Sequence, residues 1–118
     1  MKDLAPHITR QRLCIEGFYK IDVDEEVIKK YYEELTKGLG LRTYGEPIIH
    51  SPSGQGKDIN QGYDCFVPLI DSGIYVGAWT NEKFFSTVIF TCKDFDENKA
   101  VEITKKFWKI DEVATHSF

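Results

Sequence analysis

Gly73-Ile74-Tyr75-Val76-Gly77-Ala78-Trp79 and Phe84-Phe85-Ser86-Thr87-Val88-Ile89-Phe90-Thr91-Cys92, joined by Thr80-Asn81-Glu82-Lys83, read as a β-hairpin. Both runs are rich in β-branched and aromatic residues, and the link is short and polar. Upstream, Tyr63 to Ile70 is another apolar run of strand length, with Pro68 marking an edge or a bulge. Arg12 to Ile21 alternates loosely around Leu13, Ile15 and Tyr19, and Gly17 is a candidate bulge. Arg42 to His50 is expected as a strand interrupted by Gly45 and Pro47. Two helices complete the pattern. Asp24 caps a helix over residues 25–37, where Val27, Ile28, Tyr31, Tyr32 and Leu35 recur at helical spacing and Gly38 and Gly40 stop it. Asp94-Phe95-Asp96-Glu97 supplies the cap and acidic first turn of a helix carrying Ala100, Ile103 and Phe107. Residues 111–118 add a weak final strand. This order predicts an α+β fold, a two-layer sandwich in which two helices cover one face of a largely antiparallel sheet.

Lys and Arg number 15 against 19 Asp and Glu, a net charge of −4, with 42% hydrophobic and 29% charged residues. Residues 1–118 are expected as a single domain, since domains run to about 100–200 residues. The acidic balance argues against a nucleic-acid partner. No apolar run approaches the roughly 20 residues of a membrane span, and Met1-Lys2-Asp3-Leu4-Ala5-Pro6 lacks the apolar stretch of a signal peptide. Cys14, Cys65 and Cys92 are odd in number and far apart, which reads as reduced thiols and a cytoplasmic location.

The long loop from His50 to Gly62 contains Ser53-Gly54-Gln55-Gly56-Lys57-Asp58, which fails as a phosphate loop. Ser51 stands where the motif needs its first glycine, and Asp58 where it needs Ser or Thr. His7, His50 and His116 have no metal-ligand spacing, so no metal is expected. Asp71-Ser72-Gly73 is not a nucleophile elbow. The hairpin offers more. If it turns on Asn81-Glu82-Lys83, Thr80 faces Phe84 and Ser72 faces Cys92, so that a hydroxyl meets a thiol. A two-residue turn shifts the register by one and leaves the pair diagonal. Gly73 and Gly77 leave space nearby, and Trp79 offers a stacking face.

These residues resemble the small prokaryotic S-adenosylmethionine decarboxylases. The family pattern reads Glu-Ser-His, three residues, His-Thr-Trp-Pro-Glu, then a strand ending Phe-Thr-Cys-Gly. This chain matches without a gap from Asp71-Ser72 through Trp79 to Phe90-Thr91-Cys92, and Glu16-Gly17-Phe18-Tyr19 is similar to the family's first strand.

The resemblance implies self-cleavage between Asp71 and Ser72. The serine attacks the preceding carbonyl, and elimination from the ester leaves a pyruvoyl group at position 72. That group acts as the electron sink for decarboxylation of S-adenosylmethionine in polyamine (spermidine) biosynthesis. It also implies Cys92 as proton donor, Trp79 as the adenine platform and a homodimer. Glu82 stands beside the position of the family's carboxylate, which is Asn81 here. The family's histidines fall at Gly73 and Gly77, and its upstream helper residue at Asp64. A glycine cannot transfer a proton. The alternatives are therefore an unprocessed homologue that binds a ligand or partner subunit, and a pyruvoyl decarboxylase of another amino acid.

Overall fold

The computed structural model describes residues 1–51 and 57–118; the greater part of the Ser53–Asp58 segment lies outside them. Its elements run β1 (Gln11–Phe18), α1 (Glu25–Leu39), β2 (Ile48–His50), a short 3-10 turn at Asp58–Asn60, β3 (Gly62–Leu69), β4 (Ser72–Trp79), β5 (Phe84–Thr91), α2 (Glu97–Trp108) and β6 (Ala114–Ser117). The strands form one six-stranded sheet in the order β2-β3-β4-β5-β1-β6. Every pairing is antiparallel. The fold is the expected α+β sandwich.

Strand alternation sorts the sheet into a covered and an open face. Leu13, Ile15, Val67, Ile74, Val76, Phe85 and Ile89 point under the helices and are almost wholly buried. Helix α1 contributes Ile28, Tyr31, Tyr32 and Leu35 from one stripe. Trp108 closes the layer, with ring centroids 4.5 Å from Phe85 and 5.4 Å from Tyr31. The Tyr31 hydroxyl is satisfied by Thr104 at 2.8 Å, so the ring can be buried without an orphaned oxygen.

The helix ends follow capping chemistry. Asp24 accepts from the Val27 N–H at 2.9 Å, and Asp96 from the Lys99 N–H at 3.1 Å. Gly40 takes φ 68° and ends α1. Gly38, expected as a stop, is helical; a Cβ there would come within 2.5 Å of Ile103, so the residue serves helix–helix approach. Gly17 makes no bulge, for β1 stays in register through Gly17↔Phe85. A Cβ at position 17 would meet Ile110 at 2.5 Å. The strand expected from Arg42 shrinks to Ile48–His50 with a lone Thr43↔Leu69 bridge, since Pro47 cannot donate to a ladder.

Candidate functional site

Leu69↔Ser72 pairing leaves Ile70 and Asp71 as the turn between β3 and β4. Asp71 takes φ 64°, a left-handed conformation that costs a non-glycine residue about 1–2 kcal/mol. Its carbonyl accepts the Cys92 N–H at 2.7 Å. The peptide link before Ser72 is thus bent at a tight turn, and its oxygen is held by the strand next door. The Ser72 hydroxyl is buried and has no hydrogen-bond partner.

Of the two registers expected, the hairpin takes the one shifted by a residue, so the direct Ser72–Cys92 pairing is not formed. Trp79 faces Phe84, so Ser72 lies opposite Thr91 and Cys92 is diagonal. The turn comprises Thr80 to Lys83, and the Thr80 N–H donates to the Gln61 carbonyl at 3.0 Å. A one-residue offset reverses side-chain direction. Ser72 shares the parity of buried Ile74 and Thr91, while Cys92, one residue beyond β5, is exposed. What joins the two residues is the backbone contact through Asp71.

On the open face a concavity of about 600 Å³ is bordered by Asp71, Ser72, Gly73, Tyr75, Phe90 and Cys92. Its walls are aromatic, but the indole is not among them. Trp79 lies at the far end of β4, seven residues or about 23 Å from Ser72 at ~3.3 Å per residue. There it packs on Phe84 at 5.3 Å and donates to the Asn60 side chain at 3.1 Å. Glu82 sits further out, exposed in the turn. Neither reaches Ser72 of the same chain.

The strand glycines are covered rather than vacant. A Cβ at Gly73 would stand 2.7 Å from the Phe66 ring. At Gly77 it would stand 2.6 Å from the Tyr75 hydroxyl and 3.0 Å from Trp79. Tyr75 is pushed up in pKa by burial first, then by the negative charge of Asp64. Asp64 is the cross-strand neighbour of both Gly77 and His50. Beyond Gly77, Ser86 donates to Glu16 at 2.8 Å. Among the described residues no group of three or more His, Cys, Asp or Glu could hold a metal ion.

Residues 17–118 match the family model of S-adenosylmethionine decarboxylase. The chain belongs to this family. The crystal structure of the adenosylmethionine decarboxylase from Aquifex aeolicus superposes with a TM-score of 0.71 at 14% identity, covering 94% of this chain and 89% of that one. At that identity the likeness speaks for the fold alone. No curated protein gives a significant match to the sequence. As an S-adenosylmethionine decarboxylase family member the chain is divergent, because rings occupy the space over the positions where the family pattern carries histidine. Phe66, Tyr75 and Phe90 escaped the sequence reading as site residues. Period-two spacing places Tyr75 on one face with Gly73 and Gly77, and that signal was available. The cross-strand placement of Phe66 and Phe90 depends on register.

Proposed function

We propose that this chain is a self-processing S-adenosylmethionine decarboxylase, cleaved between Asp71 and Ser72, that serves polyamine synthesis in the cytoplasm. The observation that carries the reading is the strained Asp71 link, with its carbonyl on the Cys92 N–H and an unpaired serine hydroxyl beside it. Attack by the Ser72 oxygen on the Asp71 carbonyl would build negative charge on an oxygen that already has a fixed donor. A left-handed turn residue favours the step further, since cleavage releases its strain. The pyruvoyl group made at position 72 would supply an electron sink for carbon dioxide loss. The exposed Cys92 thiol borders the same concavity and can return a proton to the product.

The substrate platform assigned to Trp79 and Glu82 requires a second chain. An open face carrying Phe18, Phe66 and Phe90 at 63%, 43% and 39% exposure supports a homodimer. Intact mass on fresh protein tests the processing claim. Two fragments, the second beginning with a ketone-bearing residue, are expected, and Ser72→Ala should give one uncut chain. Splitting that persists in Ser72→Ala overturns the site.

A second reading, an unprocessed homologue that binds a ligand or partner subunit, is favoured by one observation. The Ser72 hydroxyl has no basic partner, and rings cover Gly73 and Gly77. A single uncut species, stable for days, selects it. A processed chain inert toward S-adenosylmethionine selects a decarboxylase of another amino acid.

A further inference from the structure

Ser72 turns its side chain under the sheet, and the ladder fixes its neighbours there. Leu69 stands opposite on β3 and Thr91 opposite on β5. Ile74 follows on the same side of β4, and Val67 and Ile89 lie on the diagonals. Leu69, Ile74, Val67 and Ile89 are apolar and buried, so Thr91 brings the one hydroxyl among them. Lys93, two residues on, gives its ammonium to the Gly40 carbonyl at 3.2 Å. The pairing type brings Ser72 and Thr91 close. The Cys92 N–H bonds the Asp71 carbonyl across the same two strands, and antiparallel ladders alternate between bonded and non-bonded pairs. Ser72 and Thr91 are therefore a non-bonded pair, with Cα atoms about 4.5 Å apart and side chains at their closest.

Thr91 is wholly buried, and its hydroxyl donates to the Lys93 carbonyl. With that proton committed, the Thr91 oxygen can only accept from Ser72. The Ser72 hydroxyl is a buried donor without an acceptor, which is costly. Hydroxyl pairs of this kind bond across antiparallel strands. We propose that Thr91 is a positioning residue of self-processing. It accepts the Ser72 O–H and so turns an oxygen lone pair toward the Asp71 carbonyl carbon. The inference rests on the reading of Asp71–Ser72 as a processing link. In that step the Ser72 oxygen bonds to the Asp71 carbon and the carbon–nitrogen bond of the link breaks. The hydroxyl proton ends on the freed Ser72 amine. Thr91 takes no proton and fixes only the direction of attack, where orientation contributes to rate. Gly73 and Gly77 lie on the other face of β4 and have no part in it.

The test follows cleavage of the full chain by intact mass, with and without hydroxylamine, which splits an ester and spares an amide. Thr91→Val keeps the shape and removes the hydroxyl. Its cleavage should slow about tenfold or more, and hydroxylamine should find correspondingly little ester to split. Thr91→Ser keeps the hydroxyl and should cleave nearly as fast as wild type. A packing role gives the opposite order, since serine loses the methyl group. Cleavage of Thr91→Val at the wild-type rate overturns the proposal. So do hydroxylamine fragments from it, beginning with serine, at the wild-type rate. If Thr91→Val does not fold, Thr91→Ala takes its place throughout, since it sets no methyl against the Lys93 carbonyl. If wild type stays uncut, the processing reading fails, and urea unfolding decides on Thr91 separately. Ser72→Ala and Thr91→Val, singly and together, should then be non-additive by about twofold or more in the unfolding constant. Additive effects overturn the pairing.

Discussion

The two faces of one sheet differ as if they belonged to different proteins. Under the helices, Ile15, Ile74, Val76 and Ile89 interlock with Tyr31, Leu35 and Trp108; the Tyr31 and Tyr32 hydroxyls find partners there, whereas the Trp108 indole N–H and the Ser72 hydroxyl do not. On the open face, rings lie over glycines, a thiol and a guanidinium stand unpaired, and large apolar side chains meet water. The same backbone ladder supports both. Apolar burial is concentrated on the covered face, and the other face carries its rings, thiol and Arg12 guanidinium toward water.

Neighbouring substitutions should break this contrast or sharpen it. Ile89→Ala, on the covered face, is expected to cost about 2–5 kcal/mol in urea unfolding. Val88→Ala, one residue along and facing out, should cost well under half as much. Equal losses would show that the faces are energetically alike. Gly77→Ala should cost about 1–3 kcal/mol by overpacking against Tyr75 and Trp79. Tyr75→Phe should relieve part of that cost, because the hydroxyl is the atom struck.

A smaller effect is expected from pH. Burial first, then Asp64, pushes the Cys65 thiol up to about 12 from 9.0. Its folded pKa exceeds the unfolded one, so the contribution to stability is complete below about pH 9 and is lost as pH rises toward 12. Between pH 8 and 10 the wild type should lose about 1 kcal/mol more than Cys65→Ala. Tyr31 is pushed up by burial in both proteins, whereas Tyr32 is pushed up by burial first and then by Cys65, so part of its shift goes with the thiol. Smallest of all, Phe18→Ser on the open face should change monomer stability by no more than about 0.5 kcal/mol. Sedimentation should nonetheless show it weakening self-association. A large stability loss with unchanged association would argue that this face is core.

The elements themselves were legible in the sequence. Helical spacing from Val27 to Leu35, the caps at Asp24 and Asp96, and alternation along Ser72–Trp79 and Phe84–Thr91 are local signals, and local signals survive in one dimension. So did the family, since a motif at fixed spacing needs no register, whereas the pairing of Ser72 with Cys92 depends on register and came out diagonal. The tertiary structure alone decided which atoms meet. The hairpin pairs Trp79 with Phe84 rather than Thr80 with Phe84, and with period-two geometry that one-residue step reverses the direction of every side chain opposite β4. In this register the backbone N–H of Cys92, and not its thiol, meets the Asp71 carbonyl. Spacing along a chain fixes the face a residue takes within its own strand, whereas its neighbours across the sheet depend on turn geometry that only the folded molecule sets.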